Sequence, residues 1–389
     1  MSQVTHKVIL NCILLLTIKH LSLNAQIIPK IENFETRFSY ESITLASLPK
    51  VIYKESADKN QYLNFEISIK NDHNYPIFLR EIEGLIYDKE DKLVRKAFYN
   101  PNQRPSLEFI NNQKILPGDS ALIFNPFHTF ESGVNFNYLI VNLSFTDSGY
   151  NNYQKIPIKI VPTSFKSKTA FYLPVKGNIL VWEGHDYYSN HRRLNYFKPY
   201  FSKQGITGNF QRFAYDFVIV DSLGLMYRGV QKNETIWYNR VTDNNEDYYC
   251  FGTPVFGSAD GIVYEIHDGE PDNRQFNAKD LIARPKAYGG NYIIIKHSNN
   301  EYTWYSHLKL NSILVKPGEQ IKNKQQIALV GASGSALFPH LHFELRNEPG
   351  VNGVEGLPIL FSGIKKNKSP IKRRSKKKNF LSPGTIIKN

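Results

Sequence analysis

An all-β chain made of two β-rich parts is predicted by three observations. Apolar residues alternate with period two along many short segments, turn residues separate those segments, and no helix-period stretch of useful length occurs. The 389 residues leave room for two ordinary domains with hydrophobic cores. A composition of 41% hydrophobic, 13% aromatic and 21% charged residues excludes a mostly disordered chain. No apolar run reaches the roughly 18 residues that a membrane-spanning helix requires.

In chain order, residues 1–25 read as a secretory signal. Lys7 supplies a basic start, Val8 to Ile18 an apolar stretch, and Ala25 a small residue at a cleavage point. Cleavage there removes Cys12 and leaves Cys250 alone, so the mature chain has no internal disulfide and depends on its cores or on a metal. The implied location is the periplasm, cell envelope or extracellular space.

Residues 30–165 suggest an immunoglobulin-like β-sandwich. The segment 61–69 places Leu63, Phe65, Ile67 and Ile69 on one face. Further strands are expected up to Asp88 and at 121–124, 138–145 and 156–161. His73 and His128 stand alone in turn-like settings, so this part carries no chemical constellation, and Pro162-Thr163-Ser164 reads as a linker.

Residues 166–362 are again strand-rich, and the histidines concentrate there: His185, His191, His267, His297, His307, His340 and His342. The stretches 252–266 and 315–330 both suggest strands joined by glycine-centred turns, as in β-rolls. Residues 363–389 read as a basic, disordered tail. Its segment 365–378 carries nine Lys/Arg and no acid; removing these, with Lys7 and Lys19, takes the net charge from +13 to about +2 on the body. The charge therefore points to an anionic envelope surface rather than to nucleic acid.

The strongest chemical signal is Pro339-His340-Leu341-His342-Phe343-Glu344-Leu345. On a strand, His340, His342 and Glu344 project to one face, a pattern that suits a metal site, although two surface histidines on an edge strand fit it equally. The small residues Gly331 to Ala336 before it would let a loop approach a substrate backbone closely. In the strand 213–220, Asp216 falls among apolar neighbours, where a carboxylate requires a hydrogen bond, a cation or a charged partner such as Arg212. His307 ends the strand-like run Trp304-Tyr305-Ser306-His307. The absence of HExxH excludes a thermolysin-like zinc helix, and the absence of GxSxG leaves a serine triad unsupported.

Taken in order, FAYDF around Asp216, GTPVFGSADGIV at 252–263, GNYIIIKH at 290–297, YSHL at 305–308 and the run 317–345 ending in HLHFEL resemble the lysostaphin-type (LytM-like) zinc metallopeptidases. The resemblance covers roughly residues 175–347. It implies a LytM-like β-sheet or β-roll catalytic domain that cleaves peptide bonds of bacterial cell-wall peptidoglycan. It also implies that Asp216 and His342 bind Zn2+ while His307 and His340 act as catalytic histidines.

One position departs from the family pattern. Arg212 stands where the family has a histidine ligand, four residues before the aspartate, and a guanidinium offers no lone pair. Related exported members place an Asn-His upstream of such a strand, which makes His191 the expected third ligand and His185 the reserve. The alternative reading is a zinc-free LytM-like module that activates another wall hydrolase. Carrier-type lipoyl or biotinyl hairpins, with Lys322 or Lys324 modified, fit the histidines poorly.

Overall fold

Among the described residues the first part folds into three sheets, two of them wholly antiparallel and packed on a common core. Strands Ile43–Leu48, Glu66–Asn71 and Ser120–Phe124 lie side by side in one. Leu93–Tyr99, Ile77–Tyr87, Tyr138–Thr146 and Gln154–Ile160 form the other. Leu45, Ile67 and Ile123 from the first sheet share one buried core with Ile82, Val141 and Ile156 from the second. The computed structural model describes residues 37–389 apart from 58–59, 101–113, 168, 229–241, 278 and 365–380. The signal expected at residues 1–25 and the whole of the basic run at 365–378 lie outside these residues. The described residues belong to one compact unit, Thr36–Asn389.

Two local departures from the sequence reading bear on the site. The segment 61–69 is not one strand: Asn60–Leu63 pairs with Tyr53–Ala57, whereas Glu66–Asn71 pairs in a different sheet. All four apolar residues of its inner face are buried, and so is Glu66. The expected linker is also tied down, because Thr163–Ser164 pairs in parallel with Tyr53 and Lys54.

The second part centres on a sheet with eight strands among the described residues. Its order is Gln320–Ile321, Gly261–His267, Asn291–Lys296, Tyr302–Leu308, Leu341–Arg346, Tyr215–Val220, Asn178–Glu183 and Ile386–Lys388. The two glycine-turn stretches that look alike in sequence pair with each other. Pro254–Phe256 pairs with Gln326–Leu329, and Gly261–Ile262 with Gln320–Ile321. One face buries Tyr215, Phe217, Ile293, Ile295, Tyr305 and Phe343 in a second core. Among the described residues helical structure is confined to single turns such as Pro199–Ser202 and Asp280–Ala283. Among the described residues no helix is long and apolar enough to cross a membrane. Cys250 is buried and unbridged.

The expectation of a disordered tail through residue 389 is corrected at its end. Ile386–Lys388 closes the edge of the eight-stranded sheet against Asn178–Leu180, and Leu381 and Ile387 are buried in the same core. The apolar pair in Thr385-Ile386-Ile387 meets an otherwise unpaired edge, which outweighs the cationic context nearby. Ending the chain at residue 380 should lower the unfolding free energy by about 3–6 kcal/mol, the burial of two aliphatic side chains. Denaturant titration of the truncated protein tests this; an unchanged midpoint would remove the strand from the stable fold.

Candidate metal centre

The site is a row across three neighbouring strands. Asp216 on Tyr215–Val220, His342 on Leu341–Arg346 and Ser306 on Tyr302–Leu308 stand directly opposite one another. The adjacent row, Tyr215, Phe343 and Tyr305, points to the other face and packs the core. Period-two alternation thus separates the polar row from its apolar support.

His307 escapes that alternation. One residue after Ser306, it should follow Tyr305 into the core. The pairing of Tyr302–Leu308 with Asn291–Lys296 shifts register here, because Ser306 and His307 oppose the single residue Tyr292. His307 takes up the extra position in the left-handed region, at φ 61°. Such a bulge re-aims a side chain, and the His307 ring comes to lie 4.8 Å from His340 and 5.8 Å from His342, centroid to centroid.

The imidazoles are oriented by fixed acceptors. A carbonyl oxygen only accepts, so a ring nitrogen bonded to one carries the proton. His191 Nδ1 meets the Gly184 carbonyl at 3.0 Å, His307 Nδ1 that of Ser333 at 2.8 Å, and His340 Nδ1 that of Phe338 at 2.8 Å. Each of these rings therefore offers Nε2 to the site. His191 Nε2 lies 3.4 Å and His340 Nε2 3.6 Å from Asp216 Oδ1. His342 is turned the other way, with Nδ1 2.9 Å from Asp216 Oδ1 and Nε2 3.2 Å from Glu344 Oε1. Glu344 is held in turn by Arg346, whose guanidinium lies 3.7 Å from the Trp304 ring centroid.

The five residues are each 4–7% exposed. Burial opposes charge on Asp216, yet His191, His340 and His342 hold its carboxyl well below the usual range. Burial likewise opposes charge on His342, but its two carboxylate neighbours push it up to about 9. His307 is driven well below the usual histidine range by burial and by His340 and His342.

His191, Asp216 and His342 bring one ligand atom each to within 4.8 Å of one another. Two imidazole nitrogens and a carboxylate oxygen are the donor set of an open, three-ligand metal site. The orientation fits as well. With Nδ1 of His191 committed to Gly184, an unprotonated Nε2 turns its lone pair on the Asp216 carboxylate, a repulsion that a cation between them removes. Glu344 behind His342 is the outer carboxylate that such ligands use to fix their tautomer.

His185 is not at this centre. Its Nε2 is 3.2 Å from Glu55 Oε1, and its ring packs edge-on against Phe213 and Tyr215. Nor does Arg212 pair with Asp216, the partner the sequence allowed. It turns to Glu66 and Glu355. The role expected for the small residues before His340 also needs correction. A side chain at Gly331 would stand 2.5 Å from Lys309 Cα, and one at Gly334 would stand 2.6 Å from Gly290 Cα. These glycines are required by the protein's own backbone, and the Ser333 carbonyl that the turn presents is the acceptor for His307. The sequence marks Glu344 only as a polar group on the strand. Arg346, Gln211 and Tyr288, which help line a cleft beside His307 and His342, leave no signal in the sequence.

Residues 247–355 match the profile described as Peptidase family M23. The chain carries a peptidase family M23 domain. That interval contains His307, His340 and His342 but neither His191 nor Asp216, which the tertiary structure adds to it. Over 122 residues the chain is 37% identical to the peptidoglycan DD-endopeptidase ShyB of Vibrio cholerae serotype O1, covering 31% of this chain and 24% of that protein. Over 132 residues it is 36% identical to ShyA, the peptidoglycan DD-endopeptidase of the same organism, covering 33% and 26%. The match therefore spans about a quarter of the length of these relatives. Among solved structures, the catalytic domain of lysostaphin from Staphylococcus simulans is similar at 24% identity, covering 30% of this chain and 80% of that one with a TM-score of 0.21.

Proposed function

We propose that this chain is an exported zinc metalloendopeptidase that hydrolyses peptide bonds of bacterial cell-wall peptidoglycan. The observation that carries the reading is the convergence of His191 and Asp216 on His342, which lies within the M23-matching residues 247–355. The names of the matched relatives support peptidoglycan as the substrate class.

In this reading His191 through Nε2, Asp216 through a carboxylate oxygen and His342 through Nδ1 hold the metal. Bound zinc supplies a Lewis acid that acidifies water and polarises a carbonyl. His307 and His340, each with Nδ1 anchored on a carbonyl, present Nε2 to the reacting groups. A neutral Nε2 accepts a proton from water, and a protonated one donates to the developing oxyanion or the leaving amine. Burial of the site keeps bulk water from competing for these hydrogen bonds. The division into an N-terminal sandwich of residues 30–165 and a catalytic domain of residues 166–362 belongs to the same proposal. So does attraction of the basic segment 365–378 to anionic envelope polymers, screened by salt.

The test is the zinc content of the purified protein beside His191→Ala and His185→Ala. One zinc per chain in the wild type and in His185→Ala, with none in His191→Ala, is the expected result. A wild type that takes up no zinc even on reconstitution would leave the zinc-free regulatory module as the better reading.

A further inference from the structure

The segment that brings His191 to the site, residues 184–212, is mostly irregular and receives no sheet pairing between Glu183 and Tyr215. Its apolar residues Tyr196, Ile206 and Phe210 share a buried cluster with Ile294 and Trp304 of the eight-stranded sheet, while its polar groups at both ends are held by the short break between two sandwich strands, Leu63 to Glu66. Glu66 accepts from Arg212 on both oxygens, Nη1 to Oε1 at 2.5 Å and Nη2 to Oε2 at 2.8 Å. Both side chains are fully buried. The remaining edge of the guanidinium, Nε, donates to Glu355 at 3.0 Å. Asn64 Nδ2 donates to the Arg212 carbonyl at 2.9 Å, and Arg192 Nη2 donates to the Leu63 carbonyl at 2.7 Å. Asn209 then ties the two ends of the segment together, with Nδ2 3.0 Å from the carbonyls of both His191 and Arg192.

We propose that Glu66 of the N-terminal sandwich is a positioning residue of the metal centre, acting through Arg212 to hold the segment that presents His191. The proposal rests on the zinc reading of the site. Arg212 lies four residues before Asp216, and Arg192 directly follows His191, so both cations that grip the sandwich are near in chain to groups of the site. A planar guanidinium held at three nitrogens by two carboxylates has one orientation, which a lysine could not reproduce. The sandwich is therefore part of the metal site rather than a spacer beside it.

The experiment measures the Zn2+ dissociation constant of the full chain by chelator competition, and the visible spectrum after Co2+ substitution. Glu66→Gln should weaken Zn2+ binding about 10–100-fold, the size expected when an outer partner of a ligand is lost, and should alter the Co2+ bands. Arg212→Lys should behave in the same way. Glu83→Gln is the control: Glu83 is another multiply paired carboxylate of the sandwich, bonded to Lys96, Lys155 and Asn142, all of them within the sandwich. It should leave Zn2+ affinity unchanged. If Glu66→Gln does not fold, the double variant Glu66→Leu/Arg212→Leu removes both buried charges together and should show the same loss. Wild-type affinity and spectrum in Glu66→Gln, or in the double variant, overturn the proposal. Absence of zinc from the wild type overturns the zinc reading itself, and is seen before any variant is compared.

Discussion

His342→Ala should yield a protein that binds no zinc and shows no measurable peptide hydrolysis, and Asp216→Ala should do the same. In the proposed centre His342 occupies the middle of the polar row, with Asp216 opposite on one neighbouring strand and Ser306 on the other. Its Nδ1 faces Asp216 while Nε2 is anchored on Glu344. Asp216 supplies the single anionic donor of the three-residue group. A catalytic zinc site with three protein ligands has none to spare, since its fourth position serves water or substrate. Because metal binding is coupled to folding free energy, both variants should also melt at lower temperature than the zinc-loaded wild type. Elemental analysis beside a melting curve checks this; zinc retained at one per chain in both would place the metal elsewhere.

His307→Ala and His340→Ala should instead keep their zinc and lose about 10²–10⁴-fold in turnover, the usual contribution of a positioned proton-transfer group. Neither belongs to the three-residue donor group, yet both rings abut it, with Nε2 of His340 3.6 Å from Asp216. The His307 backbone offers a cleaner variant. Asparagine tolerates the left-handed conformation found at φ 61°, so His307→Asn should preserve the bulge and the fold while removing the imidazole. Turnover at the wild-type rate in either position, with zinc bound, would remove that residue from the chemistry.

Much of this arrangement is legible in the order of residues. Period two on the HLHFEL segment places His342 and Glu344 on one face, and 3.2 Å between Nε2 and Oε1 is what that face looks like in space. The same periodicity marks Asp216 as a carboxylate needing a partner, and the chemistry of guanidinium excludes Arg212 as a ligand. These are local properties, fixed by the alternation of a strand and the lone pairs of a side chain.

Three features are not local. His307 reaches the site through a one-residue bulge, and the run from Tyr302 to Leu308 carries no glycine or proline to mark the irregularity. Alternation puts Glu66 opposite the apolar face of its segment, where a carboxylate is ordinarily solvated, and its burial is explained by the arrival of Arg212 and Tyr196 from 146 and 130 residues away. The tail end after residue 380 reads as part of a charged, solvated run until the open edge of a sheet is there to receive it. Strand periodicity and donor chemistry act over one to four residues, so the all-β class, the polar row and the residue types able to bind a metal are written in chain order alone. That His191 rather than His185 stands beside Asp216 is settled by packing at long range. It depends on where Glu55 and Glu66 of the sandwich hold the neighbouring histidine and arginine, which are contacts that no spacing within residues 184–216 encodes.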